Sequence, residues 1–296
     1  MNESKKCNIC PRMCNINRDN SVGLCGVGND ILVARIAPHY FEEPVISGTN
    51  GSGTIFFSGC NLKCIYCQNI KISKENFGKK IDVETLANKM IELQEKGVHN
   101  INLVTPTHYI IKIRDAIVNA KEKGLTIPIV YNTSGYERVE SLKLLEGLID
   151  IYLPDFKYYS DVLAMKYSKA PQYFDIAKSA LKEMYRQVGN PIIENGIMKK
   201  GIIVRHLMLP ENLEDSKKII NYLYKTYKDN IYISIMNQYT PLKQVKNIKE
   251  LNHKVKEEDY DDLVNYAYDL GIRNCFIQVG ETMSESFIPD FDLTGI

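Results

Sequence analysis

Three cysteines in one short stretch of the chain have the spacing of a metal-cluster site. Cys60, Cys64 and Cys67 follow one another as C-x3-C-x2-C, and no further Cys, His or Asp follows within ten residues. Thiolates favour zinc or iron–sulfur clusters, and a closed site of either kind takes four ligands. Three thiolates on one loop can hold three irons of a cubane and leave the fourth iron open to activate a bound molecule. The spacing therefore favours a catalytic [4Fe–4S] cluster, with a zinc site or inert thiols as the alternatives.

A second group of cysteines precedes this loop. Cys7, Cys10, Cys14 and Cys25 give C-x2-C-x3-C-x10-C. Four thiolates close a site, which suits structural zinc or a fully ligated iron–sulfur cluster. The surrounding segment contains little apolar sequence, so a metal could supply much of its folding free energy. We expect a structural metal site here, with an electron-relay cluster or free thiols as alternatives, and both zinc and iron satisfy the spacing.

Composition limits the classes of partner. The chain has 296 residues, and 37 basic residues against 36 acidic ones leave a net charge of +1, which gives no support to nucleic-acid binding driven by bulk positive charge. No apolar stretch approaches the roughly 18 residues that a membrane span needs, and the start of the chain lacks the apolar core of a signal peptide. We therefore expect no nucleic-acid or membrane partner. We also expect a cytoplasmic location, where thiols stay reduced and eight cysteines favour metal over disulfides.

The sequence around the three-cysteine motif resembles a known family. An apolar strand, Thr54-Ile55-Phe56-Phe57, leads into Gly59-Cys60-Asn61, and the aromatic Tyr66 precedes Cys67-Gln68-Asn69. The motif resembles the signature of radical S-adenosylmethionine (radical SAM) enzymes, and the wider string resembles the activating enzymes of glycyl-radical enzymes. A pyruvate formate-lyase activating enzyme-like subgroup also carries a Cys-Pro-Arg-x-Cys element near its start, seen here as Cys10-Pro11-Arg12-Met13-Cys14. The resemblance covers most of the chain.

This resemblance implies cofactors, a reaction and partners. Cys60, Cys64 and Cys67 would hold a [4Fe–4S] cluster whose open iron binds S-adenosylmethionine. An electron entering the cluster breaks the sulfur–C5′ bond, and the resulting 5′-deoxyadenosyl radical takes a hydrogen atom from the substrate. A low-potential donor, flavodoxin or ferredoxin, would supply the electron. A glycyl-radical enzyme is one expected partner. The alternatives are a small molecule or another peptide as substrate and, outside catalysis, a metal-binding or redox scaffold.

The elements that must position these residues alternate along the chain, which is typical of parallel βα units. Candidate strands cover residues 54–58, 101–105, 127–131, 149–154, 202–208, 231–236 and 275–279. Helices are predicted from the N-cap Asp82 to Gly97, along the stripe from Ile110 to Ala120, near Leu142–Leu148, twice within 161–189 with a break near Pro171, and over 212–228 and 257–270. The fold class is therefore α/β, and the resemblance implies an open, partial (β/α)6 barrel of the TIM type. A flexible joint at 47–53 is the predicted boundary between a Cys-rich segment, 1–50, and the radical SAM core, 51–296.

Candidate cofactor contacts lie where the strands end, because barrel chemistry sits at the C-terminal ends of strands. By resemblance Tyr66 packs on the adenine, although a plain core aromatic is the alternative. The second strand ends at Thr105 in place of the family's Gly-Gly-Glu-Pro-like turn, so backbone carbonyls, or the hydroxyl of Thr105 or Thr107, are the candidates to meet the methionyl amino group. Asn132 and Ser134 follow the third strand in a segment similar to the Thr-Asn-Gly-Tyr-like element of activating enzymes, where an ordinary polar turn is the alternative.

Charged residues end the fourth and fifth strands. Asp155 and Lys157 resemble the Asp-x-Lys element of activating enzymes, whose two charges flank the methionyl end of the cofactor. Side chains two apart on a strand share a face, so the pair can act together, or it forms a simple salt bridge at the rim. Arg205 lies in an apolar run and needs an anionic partner. We expect either the S-adenosylmethionine carboxylate or a protein carboxylate such as Asp155. The polar residues at 236–241 are candidates for substrate contact.

Overall fold

The computed structural model describes residues 6–278 and 289–296, where the chain folds around one β-sheet. The strands are β1 (Ile31–His39), β2 (Ser52–Phe57), β3 (Lys79–Ile81), β4 (Ile101–Val104), β5 (Ile129–Thr133), β6 (Ile151–Pro154), β7 (Ile192–Glu194), β8 (Ile197–Leu207), β9 (Tyr232–Met236) and β10 (Cys275–Ile277). The helices are α1 (Pro44–Ser47), α2 (Ile70–Ser73), α3 (Val83–Glu95), α4 (Ile110–Glu122), α5 (Val139–Leu142), α6 (Asp161–Ser168), α7 (Tyr173–Val188), α8 (Leu213–Tyr227) and α9 (Glu257–Asp269). Residues 1–5 of the predicted N-terminal segment, and residue 279 of the last predicted strand, lie outside the described residues.

Seven neighbouring parallel strands make up most of the sheet. The order β10-β9-β8-β6-β5-β4-β2 continues into β1 and β3, and every neighbouring pair from β10 to β2 is parallel. These are the seven strands expected from the sequence, with helices between them along the chain. In the described part of the chain the order ends at β10 and β3 without closing, so the expected open, partial α/β barrel is confirmed.

Strands β1, β3 and β7 were not predicted. β1 pairs antiparallel with both β2 and β3, and its register shifts between Val33 and Arg35. This irregularity breaks the alternation of apolar and polar residues by which a strand is recognised in sequence. β1 precedes the predicted joint at 47–53 and yet belongs to the main sheet. The proposed boundary between a Cys-rich segment and a core stays a prediction.

The longer helices follow their predicted positions, whereas α1 and α2 were not predicted and α5 ends at Leu142, where the predicted short helix begins. Helix α3 begins after Asp82, whose side chain accepts a hydrogen bond from the Thr85 amide at 2.7 Å, as an N-cap does. Helices α6 and α7 are separated by a break that includes Pro171, as expected. No helix in the described ranges is both long and apolar enough to cross a bilayer.

An apolar plug fills the interior of the barrel below the strand ends. Val130 of β5, Leu153 of β6 and Ile203 of β8 are fully buried in one cluster with Ile46 of α1. Their neighbours on the same strands, such as Tyr131, belong instead to the larger core between the sheet and the helices. Each strand therefore presents alternate residues to the interior, and the next interior positions after the plug lie at the C-terminal edge.

Candidate active site

Strand alternation brings polar side chains together above the plug. Two residues beyond the plug residue on β5, β6 and β8 stand Asn132, Asp155 and Arg205 respectively. The backbones of Asp155 and Arg205 form an isolated parallel bridge, so the ends of β6 and β8 are adjacent. The alternation of side chains along each strand, which directs the plug residues into the interior, thus also directs these polar residues into the site.

One cavity of about 260 Å³ opens at this edge of the sheet. Its lining includes the three cysteines of the motif and every cofactor contact predicted from sequence: Cys60, Cys64, Cys67, Tyr66, Thr105, Asn132, Ser134, Asp155, Lys157 and Arg205. Met236 and Gln238, from the segment predicted to contact substrate, line it as well. The roles of these residues remain predictions, but the structure brings all of them to a single cavity.

The loop of the three cysteines packs closely against its surroundings. Gly59 has φ +89°, a conformation that L side chains rarely adopt. A Cβ there would lie 2.9 Å from Val27 and 3.0 Å from the imidazole of His108. Glycine is therefore required at this position, where the chain turns into the cluster loop.

Hydroxyl groups donate to two of the three sulfurs. Ser168 Oγ lies 3.1 Å from Cys64 Sγ, and Ser73 Oγ lies 3.3 Å from Cys67 Sγ. Hydrogen bonds of this kind orient the ligands of a bound metal and tune its properties. Neither serine was predicted, because nothing in the spacing of the motif indicates which hydroxyls fold against it.

The three sulfurs are the donor type that an iron–sulfur cluster takes, and burial affects the protonation of two of them. Burial, together with the nearby charge of Cys64, raises the pKa of the Cys60 thiol to about 12, and burial raises the pKa of Cys67 as well. Such thiols stay protonated until a metal displaces the proton. Across residues 6–278 and 289–296, no group of three or more His, Cys, Asp or Glu side chains is placed to hold a single metal ion. A cubane binds its cysteines at separate corners, so its ligands need not converge on one point.

Tyr66 is the first member of a buried chain of hydroxyls. Its hydroxyl lies 2.8 Å from that of Tyr158, which lies 2.7 Å from Ser168 Oγ. Ser168 in turn reaches Cys64. Tyr66 is 6% exposed and lines the cavity, so its ring is packed in the core on one side and borders the site on the other.

Asp155 and Lys157 form the ion pair that was one of the two predicted alternatives. Lys157 Nζ lies 2.8 Å from Asp155 Oδ2, and both side chains are half-buried against the cavity. Burial alone would lower the pKa of Lys157, but the charge of Asp155 outweighs it and holds that pKa above its usual range. Lys157 therefore stays charged beside Asp155.

Arg205 has protein partners that differ from the one expected. Its guanidinium donates to Glu43 at 2.8 Å and 2.6 Å and also contacts Glu42. Asp155 was the expected protein carboxylate, but it is paired with Lys157, and this expectation is corrected. Burial opposes the charge of Glu43, yet Arg205 holds the pKa of that carboxyl below its ordinary value. Glu43 and Arg205 are 162 positions apart, and nothing local to either segment indicates that they meet.

Glu137 was also missed. One of its oxygens accepts hydrogen bonds from the hydroxyls of Thr107 and Thr133, and the other has no partner among the described residues. Burial raises the pKa of Glu137 to about 7. Thr107, one of two candidates at the end of β4, is therefore engaged with Glu137, while Thr105 lines the cavity.

The four N-terminal cysteines lie in a segment folded against the cluster loop. Cys10 and Cys25 are buried, and Cys7 and Cys14 are half-buried. Burial raises the pKa of Cys10 to about 12 and also raises the pKa of Cys25. The carbonyl of Cys25 accepts a hydrogen bond of 3.1 Å from the amide of Cys60, so the two groups of cysteines are in direct backbone contact.

Comparison with known proteins identifies the family. The model of the radical SAM superfamily matches residues 54–223, more than half of the chain. MJ0674, an uncharacterized protein of Methanocaldococcus jannaschii, is 30% identical over 272 residues, which cover 89% of this chain and 74% of that protein. MJ0808, an uncharacterized protein of the same organism, is 24% identical over 247 residues, covering 74% of this chain and 66% of MJ0808. The chain belongs to the radical SAM superfamily.

Solved structures share the fold. Streptococcus suis SuiB bound to S-adenosylmethionine aligns with a TM-score of 0.52 at 14% identity, covering 75% of this chain and 48% of SuiB. The chain thus spans about half the length of that protein. Methylornithine synthase (PylB) aligns with a TM-score of 0.51 at 15% identity, covering 79% of this chain and 72% of PylB. Radical SAM enzymes use a [4Fe–4S] cluster, S-adenosylmethionine and an external electron donor, as expected from the sequence.

Proposed function

We propose that this chain is a radical SAM enzyme whose Cys60, Cys64 and Cys67 hold the [4Fe–4S] cluster. The cluster and S-adenosylmethionine, when bound, supply reductive cleavage to a 5′-deoxyadenosyl radical that takes a hydrogen atom from the substrate. The supporting observation is the single cavity, which contains the three thiols and all seven predicted cofactor contacts. Nothing in this chemistry requires a nucleophile or a general base from the protein.

The ion pair of Asp155 and Lys157 orients the cofactor in this proposal. It presents an anion and a cation 2.8 Å apart at the edge of the cavity. The methionyl end of S-adenosylmethionine carries an ammonium and a carboxylate, which match that pair in charge and spacing. Charge-assisted hydrogen bonds to both groups would fix the direction from which the cofactor enters.

The remaining contacts hold the adenosine part and exclude water. Asn132 and Ser134 offer amide and hydroxyl groups at the end of β5. Tyr66 offers a ring whose hydroxyl is already bound to Tyr158, so its position is fixed before the cofactor arrives. Below them the apolar plug closes the barrel interior, which keeps water away from a reactive radical.

We propose a glycyl-radical enzyme as the substrate, with a small molecule or another peptide as the alternative. The string from Gly59 to Asn69 supports the first, through its similarity to activating enzymes. A second cavity of about 460 Å³ shares the lining residues Glu42, Arg205 and Met236 with the first, so the two cavities are adjacent. This supports an extended substrate, such as a segment of a glycyl-radical enzyme or another peptide, that occupies both. The solved structure of SuiB with its precursor peptide SuiA is a case of a peptide bound by a protein of this fold.

The test begins with cofactor cleavage. Protein reconstituted anaerobically with iron and sulfide, then reduced with S-adenosylmethionine present, should release 5′-deoxyadenosine. The variant Cys64→Ala should not, whereas Val162→Ala, an exposed apolar truncation on α6, should behave like the wild type. Absence of 5′-deoxyadenosine from the reconstituted wild type would refute the enzymatic proposal and favour a metal-binding or redox scaffold.

The choice of substrate needs a second measurement. Deuterium transferred from a labelled candidate into 5′-deoxyadenosine identifies the molecule that loses a hydrogen atom. An activating enzyme should also leave a glycyl radical on a large partner, visible by electron paramagnetic resonance. Deuterium transfer from a small molecule, with no protein radical on any glycyl-radical enzyme supplied, would favour the alternative.

A further inference from the structure

The cysteine segment, residues 7–27, contains no helix or strand. Its backbone is folded back on itself by hydrogen bonds from Cys7 N to Ile16 O, 2.8 Å, and from Asn15 N to Cys7 O, 2.9 Å. Only Cys10, Cys25 and Val27 are buried within it. So small an apolar content offsets little of the entropy cost of ordering about twenty residues. Hydrogen bonds of Arg18, Arg138 and Ser141 attach the segment to the rest of the chain, and a bound metal would add folding free energy that its apolar content does not supply.

The thiols of Cys14 and Cys25 lie close to one another. A Cβ placed on Gly23 would lie 3.4 Å from Cys25 Sγ and 3.5 Å from Cys14 Sγ, so one small residue separates the two sulfurs. The Leu24 amide donates a hydrogen bond to Cys14 Sγ at 3.4 Å. The backbone of Cys7 is hydrogen-bonded to Asn15 and Ile16, so Cys7 lies beside the segment that follows Cys14. Because a change of rotamer moves a cysteine sulfur without moving its backbone, the thiols can converge on a metal while these contacts persist.

The segment also holds the loop of the radical cluster through its backbone. The carbonyl of Cys25 accepts from Cys60 N at 3.1 Å, and the carbonyl of Gly26 accepts from Asn76 Nδ2 at 3.0 Å. Val27 fills the space that Gly59 leaves open. The end of the cysteine segment is therefore packed directly against the beginning of the cluster loop.

Arg12 makes the second attachment. It lies between Cys10 and Cys14, and its guanidinium donates to four backbone carbonyls, those of Asn61 (2.7 Å), Leu62 (3.3 Å), Ser168 (3.0 Å) and Lys169. Two of these carbonyls belong to the cluster loop, and the other two end α6, which carries the hydroxyl bound to Cys64. Arg12 thus ties the cluster loop to Ser168, whose hydroxyl donates to Cys64 Sγ.

We propose that Cys7, Cys10, Cys14 and Cys25 bind a second, closed metal centre, and that this centre holds the radical cluster loop in position through Arg12 and the Cys25 carbonyl. Four thiolates suit zinc or an iron–sulfur cluster. The positioning part rests on the proposed function of Cys60–Cys67, whereas the existence of the centre does not. Arg12 is a positioning residue here, since it acts on the cluster only through the backbone of the loop.

The first experiment removes the radical cluster altogether. The variant Cys60→Ala/Cys64→Ala/Cys67→Ala is purified anaerobically from cells supplied with zinc and iron, and zinc, iron and sulfide per chain are measured. We expect either about one zinc per chain or iron with matching sulfide. Adding Cys7→Ser or Cys14→Ser should abolish that content. No bound metal in the triple variant, before or after anaerobic reconstitution with either metal, overturns the proposal.

The second experiment tests the positioning role. In reconstituted protein that retains all cysteines, Arg12→Gln should lose the radical cluster to a chelator about tenfold faster, as expected when charge-assisted hydrogen bonds are removed. Arg12→Lys should fall between that variant and the wild type, because it keeps the charge without the planar fork. Arg114→Gln, which breaks an exposed pair with Asp115, is the control and should match the wild type. Equal rates of cluster loss in Arg12→Gln and the wild type would overturn the positioning role.

The two proposals fail separately. If the triple variant binds metal but the wild type never cleaves S-adenosylmethionine, the second centre stands and the proposed enzymatic function falls. If the wild type cleaves the cofactor but the triple variant holds no metal, the enzymatic function stands and the second centre falls.

Discussion

Ionisation of Glu137 should oppose folding at high pH. Burial raises the pKa of this carboxyl from an ordinary 4.5 to about 7, and the only donors to it among the described residues are the hydroxyls of Thr107 and Thr133. Between those two pH values the folded protein keeps a proton that the unfolded chain has lost, so stability falls as the pH rises through this window. At about 1.4 kcal/mol per pH unit, the full cost at pH 8 is about 3 kcal/mol.

The variant Glu137→Gln isolates this cost. Gln keeps an oxygen for the two threonine hydroxyls but cannot ionise, and its buried amide adds a constant penalty of about 1–3 kcal/mol. We therefore expect the variant to be less stable than the wild type at pH 5. Its stability relative to the wild type should then rise steadily up to pH 8. A chain of this size shifts its melting temperature by about 2 °C per kcal/mol. The difference in Tm between the two proteins should change by about 6 °C over that range.

The assay is thermal unfolding under anaerobic conditions, with both proteins reconstituted identically. Glu140→Gln serves as the control, because Glu140 is 71% exposed and pairs with Arg138 at the surface. Its Tm should run parallel to the wild type at every pH. A Glu137→Gln variant that also runs parallel to the wild type would refute the reasoning, since the carboxyl would then titrate alike in the folded and unfolded chains.

Three further predictions concern single side chains. Ser168→Ala removes the hydroxyl that donates to Cys64 Sγ. This hydrogen bond stabilises the reduced cluster more than the oxidised cluster, because the reduced form is more negative, so its loss costs the reduced form about 1 kcal/mol. The midpoint potential, measured in an electron paramagnetic resonance titration, should therefore fall by about 40 mV. Lys157→Met leaves the cofactor carboxylate without its cation and should raise the Kd for S-adenosylmethionine, measured by calorimetry, about tenfold. Burial holds the pKa of His206 at about 4, below its ordinary 6.5. As the pH falls, the imidazole is therefore protonated in the unfolded chain before it is protonated in the folded protein. Wild type should therefore lose stability relative to His206→Asn as the pH falls from 6.5 towards 4, by about 1.4 kcal/mol per pH unit in thermal unfolding.

Matched changes separate these effects from general damage. Ser179→Ala removes an exposed hydroxyl bound to the Asp175 carbonyl and should leave the cluster potential unchanged. Lys166→Met breaks a surface pair with Glu250 and should leave the affinity for S-adenosylmethionine unchanged. An equal shift in test and control contradicts the first two predictions. A wild type that keeps pace with the His206→Asn variant down to pH 4.5 contradicts the third.

Features that depend on local geometry were predictable from the sequence. The spacing of the three cysteines and the strand before them placed the cluster loop correctly at the C-terminal edge of β2. The alternation of side chains on a strand predicted that Asp155 and Lys157 share a face, and the structure joins them at 2.8 Å. Each of these inferences needed only a few consecutive residues and a known strand geometry.

Partners that are distant in the sequence were not predictable. Arg205 meets Glu42, from which it is separated by 163 positions, and a buried guanidinium shows only that some acceptor must exist. Asp155 was a reasonable candidate because its strand lies next to β8. It was unavailable because Lys157, two residues away, already satisfies it. Because Lys157 pairs with Asp155, Arg205 pairs with Glu42 and Glu43 instead. Composition alone cannot distinguish among these carboxylates.

The two arginines explain why the N-terminal residues form part of the site. A guanidinium stays charged at every accessible pH, so it can be buried only where several acceptors converge, and it then fixes all of their segments at once. Arg12 draws the cluster loop and the end of α6 to the cysteine segment, and Arg205 draws β8 to the loop that follows β1. Cutting the chain at the predicted joint, 47–53, would leave Arg205 without both glutamates, and loss of one partner of a buried ion pair costs about 3–5 kcal/mol. Sequence composition changes at that joint, but we expect the two sides to fold as one unit, because the walls of the cavity come from both.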